Sequence, residues 1–575
     1  MKKALITFLS LVVCFLLIAG CSGGEAGQPH VHEETADTDA PSDTQNETAA
    51  SFFAERIQDP ILSWNAYDSL IVRAFHEKDP SEYVRLIHEA EEHLLSTACI
   101  IPLYDMQSVY LAKGYVRSLG SDPLAMDHFP EISLDNNLDI VRIGIDHDPV
   151  PDPARATVPA DVSMIGNCFS CLYSYGPSGS IIPACAERLE ISEDGSVCTV
   201  FLKEGLKWAG GADLSPEDFV YSWKRTAASN MRYGFIFSFI EGYPDHLSME
   251  AVSENALTFR LSHPVKDLER LLAFPLFAPT RQDIIEANPD KWYLSGVNGY
   301  NGAYSCMFSE NHKSIAMIPN PNWILLGNIA DACVNIELDI FENAASAYEA
   351  YRSGELDVVL SVPVDVLYSY AYQKSDEYRT FPVLGTSFLA FNARSPVFSR
   401  MTTEEAVCFR TAISLLIDRT NIVSNAAPDS RSESLSFIPR EIGDGWEWEY
   451  RPENTAYAGD TNQANKTEEI LHLLALAGFP MDKRSDADAL PALQCLFRDN
   501  PICRETIEAF SQDLASVGIR LIPVPTDPAS FHRKARSGAY DVVLDQRIAV
   551  CNDPLFMLEE WTAHAAGNYC LFGDS

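Results

Sequence analysis

Trp64-Asn65-Ala66-Tyr67-Asp68-Ser69-Leu70-Ile71-Val72-Arg73-Ala74-Phe75 opens a stretch, ending at Pro130, on which the reading of the whole chain turns. Its apolar residues Leu70, Ile71, Ala74 and Phe75 recur at helical spacing. Asp79-Pro80 then supplies an N-cap and a first-turn proline. The helix it starts is expected to carry Val84, Ile87, Ala90 and Leu94 on one face. Cys99-Ile100-Ile101-Pro102-Leu103-Tyr104 reads as a short buried strand, and Val109 to Val116 as a second apolar run. Two helices and two strands bury too little apolar surface for a core of their own. Something later in the chain must complete them.

Upstream lies a targeting signal. Lys2 and Lys3 precede an apolar run from Leu5 to Ile18, and Ile18-Ala19-Gly20-Cys21 fits a lipobox. The run is too short to span a bilayer and ends at small residues. Residues 1–20 are therefore expected to be a lipoprotein signal peptide, with Cys21 taking the lipid. Ser22 to Ala50 carries seven acidic residues and no Lys, Arg or aromatic, so residues 21–60 are expected to be a disordered acidic tether. His30 and His32 within it read as incidental rather than metal-binding. Folded sequence is expected from about Phe52 to Ile61.

At 575 residues with 46% hydrophobic content, the chain has room for roughly two to four domains. Its net charge of -39 argues against nucleic acid and against adhesion to anionic lipid. The acidity reads as a solubility device, with a preference for cationic ligands as the sharper alternative. Apart from Cys14 and Cys21, twelve cysteines are scattered from Cys99 to Cys570. Export permits disulfides, but so few in so long a chain make no scaffold, and the pairing is not legible.

Downstream, Leu138 to Ile145 alternates like a half-buried strand. Val197 to Leu202 reads as a strand after the turn Glu193-Asp194-Gly195. Ser215-Pro216-Glu217-Asp218 is a well-signed helix start, with Ser215 as N-cap and Asp218 at the third position. Catalytic patterns are missing: there is no GxSxG and no Gly-rich phosphate loop. His88 and His93 are five apart, diverge around a helix, and read as part of a solvated charged face with Glu89, Glu91 and Glu92. Cys168-Phe169-Ser170-Cys171 lacks a partner pair and reads as a buried pair or a local disulfide. Asp146-His147-Asp148 reads as a polar turn after a strand. Trp208, Tyr221 and Trp223 read as packing residues, since Tyr221 and Trp223 cannot share a helix face. No catalytic residue, metal site or cofactor is expected.

Ile191-Ser192-Glu193-Asp194-Gly195, Phe201 to Trp208 and Asp218 to Arg225, in this order, resemble the signature of the peptide/nickel-type extracellular solute-binding proteins of ABC importers. The likeness continues through Leu257 to Leu261, Asn301-Gly302-Ala303-Tyr304, Asn320-Pro321-Asn322-Trp323, Tyr351 to Asp357 and Phe391-Asn392. Phe409 to Arg419 resembles the family's RxALxxAIDR helix, and Leu474 to Phe479, Gly518 to Leu521 and Gly538 to Val542 complete the series. Family members end with a Tyr-Asp helix, an Ala-Glu helix, an IIPLY-like strand and a VKGY-like tail. Tyr67-Asp68, Ala90-Glu91, Ile100 to Tyr104 and Ala112 to Tyr115 resemble these, at the front of this chain. The chain stops near Gly567 to Leu571, where a family member would continue into the Tyr-Asp helix. The resemblance thus implies a circular permutation, with a partial tandem duplication or an assembly error in the gene as the rivals.

The implied fold is α/β: a two-lobed periplasmic-binding-protein-type clamp with an additional domain, circularly permuted. The expected parts are residues 61–100, a transposed part of the C-terminal lobe; 101–165 and 300–384, lobe I; 166–299, the appended domain; and 385–575, the C-terminal lobe. The implied function is an extracytoplasmic, lipid-anchored binding protein that captures a peptide-like or other small solute by lobe closure. Its implied partners are the transmembrane subunits of an ABC permease and the membrane, and it is expected to be a monomer. A surface sensor or adhesin on the same fold is the alternative, and an extracytoplasmic hydrolase the remote one. The positions matching the family's ligand contacts are Val158, Pro159, Ala160, Asp161, Tyr233, Gly385, Thr386, Ser387, Phe388, Arg547, Asn552 and Asp553. Where peptide-binding members have Trp-x-Ala-Asp-Tyr, this chain has Arg547-Ile548-Ala549-Val550-Cys551, so the carboxylate for a peptide ammonium is missing. Arg547 either binds a carboxylate or phosphate or pairs with Asp545 or Asp553.

Overall fold

The apolar runs around Ile100 and Val109 form one strand, Ile100–Ala112, rather than two. The computed structural model of the protein describes residues 64–572 apart from internal stretches, the longest being 443–462 and 480–489. The signal, Cys21 and the tether lie outside the described residues. The polar middle of the long strand survives because its register against the strand Tyr378–Phe391 shifts twice, between Pro102 and Tyr104 and between Asp105 and Gln107. Pro102 has no N–H for a ladder, and an irregularity is where a strand tolerates it.

These two long antiparallel strands form the middle of a mixed, 11-stranded sheet. To one side come Val358–Val359, Ile140–Ile145, Asn335–Ile340, Ser314–Pro319 and Tyr304–Phe308. To the other come Val542–Ile548, Ala492–Arg498 and Arg520–Thr526. Ser430–Glu433 adds to the edge of Ile100–Ala112. Ile140–Ile145 has parallel partners on both sides, and residues 143–145 are buried without alternation. The half-buried reading is corrected there: on the face that alternation leaves to solvent, Leu356, Phe341 and Ala347 stand over Gly144, where a Cβ would come within 2.5 Å of Leu356 Cδ1. Along Ile100–Ala112 the packing changes. Ile101, Leu103 and Tyr104 join Leu389, Phe409, Ile413 and Leu544, while Leu111 joins Tyr351, Leu356 and Val359.

The helices Trp64–His76 and Pro80–Ser96 are seated on the far end of the chain. Asp79 caps the second helix, accepting from Glu82 N at 2.9 Å. Trp64 Nε1 donates to Trp561 O at 2.9 Å, Tyr67 Oη to Leu558 O at 2.6 Å, and Tyr83 Oη to Asp553 Oδ1 at 2.6 Å. The Trp64 ring stacks on Phe572 with centroids 4.7 Å apart. The expected solvated face of the second helix is corrected in part. Glu89 and Glu92 are exposed, but Glu91 and His93 are buried, because Glu91 accepts from Ser436 Oγ and Ile438 N.

A separate antiparallel sheet is built from consecutive chain, in the order Met249–Ser253, Ala256–Arg260, Val197–Leu202, Ala186–Ile191. The helix Pro216–Ala227 packs on it. Ser215 N donates to Asp218 Oδ2 at 2.9 Å, closing the N-terminal cap. Trp223, fully buried against Phe237, Phe259 and Phe277, donates Nε1 to Phe277 O at 2.8 Å. Trp208 is likewise buried, and Tyr221 is half-buried on another face.

Candidate functional site

Gly385, Thr386, Ser387 and Phe388 lie in the strand Tyr378–Phe391 where it runs beside Val542–Ile548. Thr386 stands directly opposite Arg547 on one neighbour and Asp105 on the other. Directly opposed residues project to the same face, so the three side chains form a row across three strands. Gly385 leaves no room for a side chain: a Cβ there would come within 2.9 Å of Arg547 O. Thr386 Oγ1 donates to Phe437 O at 2.8 Å, and Ser387 is buried beside Tyr104 in the register.

Arg547 is almost fully buried. It pairs with Asp545 at 2.7 Å and with Glu560 at 2.6 Å, and donates to Gly567 O at 3.0 Å. Tyr569 lies under the guanidinium at 4.8 Å, with Phe388 and Trp561 at 5.8 Å. Burial opposes its charge, but the Glu560 and Asp545 carboxylates outweigh that and hold its pKa above the usual arginine value. Asp545 also takes Arg498. Of the two readings of Arg547, the structure shows the internal pairing, with Asp545 and with Glu560. Asp553 is engaged elsewhere, accepting from Tyr83 Oη and from Leu555 N at 2.9 Å. Asn552 is half-buried beside it, whereas Val550 and Cys551 lie outside the described residues. Glu559, next to Glu560, has its carboxyl pushed up to about 8 by burial and then by Glu560 and Asp553.

Val158, Pro159, Ala160 and Asp161 open the helix Pro159–Cys168. Asp161 is buried and accepts from Val150 N at 3.0 Å, Thr157 N at 2.8 Å and Val158 N at 3.2 Å. Its carboxylate thus fastens a loop to a helix start, while the three residues before it stay half-buried. Tyr233 is buried, its ring 6.4 Å from Phe274. A small pocket of about 40 Å³, walled in part by Phe169, Tyr173, Tyr175 and Trp323, touches none of the twelve expected positions.

Further buried polar junctions involve residues to which the sequence assigns no role. Asp152, fully buried, receives both Arg225 nitrogens at 2.6 and 2.7 Å and Trp292 Nε1 at 2.7 Å. Arg410 donates twice to Thr97 O, at 3.2 and 2.8 Å, and Arg419 Nε to Pro102 O at 2.9 Å. Arg225, Arg410 and Arg419 all fall in the motif runs, which is the signal that could have marked them. Asp146 and His147 form a bend, with Asp146 accepting from Ser361 Oγ at 2.5 Å. Among the described residues no group of His, Cys, Asp and Glu could hold a metal ion.

Residues 180–569 match the family described as bacterial extracellular solute-binding proteins, family 5 middle. The chain is 25% identical over 475 residues to the periplasmic oligopeptide-binding protein OppA of Escherichia coli (strain K12), covering 80% of this chain and 84% of that protein. It is 27% identical over 297 residues to the dipeptide-binding protein of Lactococcus lactis subsp. cremoris (strain MG1363), there covering 48% of this chain and 53% of the relative. In fold it matches the murein tripeptide binding protein MppA of Escherichia coli, with a TM-score of 0.64 at 21% identity over 76% of this chain and 85% of that one. It also matches Haemophilus influenzae OppA in complex with RPPGFSPFR, with a TM-score of 0.62 at 21% identity over the same shares. The chain belongs to this family of solute-binding proteins, and its fold is the mixed α/β fold of the family.

Proposed function

From that membership we propose that this protein is the substrate-binding component of an ABC importer. It is held outside the cytoplasm by a lipid on Cys21 and delivers a peptide-like or other small solute to the permease. The observation that carries the reading is the family match over residues 180–569. The fold supports a hinge. The strands Ile100–Ala112 and Tyr378–Phe391 run from one half of the main sheet into the other, and their register breaks offer places to absorb a bend. A solute touching both halves favours the closed form by its differential affinity.

The proposed solute-contacting positions are Gly385, Thr386, Ser387, Phe388 and Asn552 from one half, Val158, Pro159 and Ala160 from the other, and Tyr233 from the part expected as the appended domain. Arg547, Asp553 and Asp161 would shape the site through the pairings described above. With Arg547 neutralised by two carboxylates, an anionic group is not the preferred anchor. The relatives' names, which include dipeptide- and oligopeptide-binding proteins, favour peptides as the first class to try.

We further propose that the chain is a circular permutant. Support comes from the stacking of Trp64 on Phe572 and from the seating of residues 64–96 on the segment around Leu558. A chain reordered to run 131–572 and then 64–130 should fold and bind alike, and failure of that chain to fold would remove the idea. The function is tested by thermal shift against dipeptide and oligopeptide libraries and by mass spectrometry of solutes that co-purify. A peptide-dependent rise in the unfolding midpoint is expected. Absence of both a shift and a co-purifying solute would leave the sensor or adhesin reading in its place.

A further inference from the structure

Cys168 ends the helix Pro159–Cys168, and Cys306 lies in the strand Tyr304–Phe308. Their sulfurs are 2.9 Å apart, within about 1 Å of the bonded separation of about 2.05 Å, and both side chains are wholly buried. The two backbones that carry them are clamped together. Gly302 N donates to Cys168 O at 2.8 Å, and a Cβ on Gly302 would stand 2.4 Å from Cys168 C and from Phe169 N. Asn301 exchanges hydrogen bonds with Ser170, and Asn320 Nδ2 donates to Gly302 O at 2.8 Å. The sulfurs therefore meet across a fixed gap, and not at the ends of mobile loops. The neighbouring thiols point elsewhere: Cys171 Sγ to Phe274 O at 3.4 Å, and Cys185 Sγ to Ser170 O at 3.5 Å. The local Cys168–Cys171 pairing considered from the sequence is thus not the one the fold arranges.

We infer that Cys168 and Cys306 are joined by a disulfide in the mature protein. The inference rests on the export reading above, since cytosolic thiol pools would keep both cysteines reduced. The step is a two-electron oxidation during folding, before burial closes the site. One cysteine thiolate attacks the disulfide of an extracytoplasmic thiol–disulfide oxidoreductase and forms a mixed disulfide. The second thiolate displaces it, leaving Cys168–Cys306 bonded and the oxidoreductase as its dithiol. Two protons leave the protein's thiols and two electrons pass to the oxidant. Once formed, the bond closes a loop from the helix end to the strand and is screened from reductant by its burial. In the reduced protein, burial pushes the Cys168 thiol well above the usual range, so the attack by thiolate has to precede burial.

The experiment has two arms. The full chain, refolded in a glutathione redox buffer, is alkylated under denaturing conditions without reductant and digested, and the peptides are read by mass spectrometry. A Cys168–Cys306 cross-linked peptide is expected, with Cys171 and Cys185 alkylated. Alkylation of both Cys168 and Cys306 in this arm overturns the pairing whatever the compartment. The second arm traps thiols at lysis in cells that make the native lipoprotein. The linked peptide is expected again, and a reduced pair there overturns the inference for the mature protein while leaving peptide binding untouched. Cys168→Ala, Cys306→Ala and the double variant should each lower the unfolding midpoint by a similar amount, on the order of 5 °C. Effects of the two single variants that add in the double variant would speak against a shared bond.

Discussion

The sheet of residues 186–260 and the helices of residues 64–96 sit in one molecule but are assembled from opposite kinds of contact. In the first, every strand pairs with one nearby in the chain, and the turn Ser192-Glu193-Asp194-Gly195-Ser196 is closed by Asp194 accepting from Ser192 Oγ and Ser196 N. In the second, Trp64, Tyr67 and Tyr83 find their partners 497, 491 and 470 residues away. Loop-closure entropy grows only slowly with loop length, so a distant partner costs folding speed more than stability. Distance in sequence is therefore no measure of how firmly a segment is held. The front segment should behave as an integral part of the C-terminal half, and not as an appendage.

Arg410→Ala is the strongest way to break that equivalence. Arg410 is buried, and its two bonds to Thr97 O fix the turn from the second helix into Ile100–Ala112. Its loss removes charge-assisted donors and strands a buried carbonyl, at a cost of about 3 kcal/mol. A denaturant titration should show one lowered midpoint for fluorescence and for hydrogen exchange in residues 64–112 alike. If residues 64–112 exchanged freely while the rest of the protein kept its midpoint, the segment would be an appendage after all.

What could be read from the sequence follows the same division. Ser215, Pro216 and Asp218 announce their helix because the cap is made by residues three apart. The Asp79 cap was legible for the same reason. Ile100–Ala112 was read as two pieces because Asp105, Gln107 and Ser108 break the apolar run, and the pairing with Tyr378–Phe391 that carries the strand across them is distant. Glu91 and His93 were read as solvated because Ser436 and Ile438, which cover the helix there, leave no local trace. At the candidate site, Asp545 was legible as a partner of Arg547, two residues away on one strand face, while Glu560 belongs to a later turn. The family likeness in the ordered motifs was legible because it sums many weak local signals. Asp152, which lies outside those motifs, was missed.

A smaller effect at the same junction depends on pH. Glu559 follows Leu558, whose carbonyl receives Tyr67, and burial, then Glu560 and Asp553, raise its carboxyl from 4.5 to about 8. A carboxyl raised on folding favours the protonated folded state. Its contribution is fully present below about 4.5 and is lost as pH rises through about 8. Because the side chain keeps some solvent contact, the loss is on the order of 2 kcal/mol. Glu559→Gln should flatten this part of the stability–pH profile, raising the unfolding midpoint at pH 8 relative to the parent and leaving it near the parent's at pH 4. An unchanged slope in Glu559→Gln would assign the pH dependence to another group.

The last and smallest test is made in the locally assembled sheet. Trp223→Phe keeps the aromatic contacts with Phe237, Phe259 and Phe277 in kind and removes the Nε1 donation to Phe277 O. One buried carbonyl loses its donor, a cost of about 1–2 kcal/mol. If residues 186–260 unfold with the main sheet, this variant lowers the same single midpoint that Arg410→Ala lowers, by less. If the local contacts make them an independent folding unit, a separate early transition appears, confined to that sheet and absent from Arg410→Ala. Hydrogen exchange followed at the strand Val197–Leu202 and at the helix Pro80–Ser96 in both variants tells the two outcomes apart.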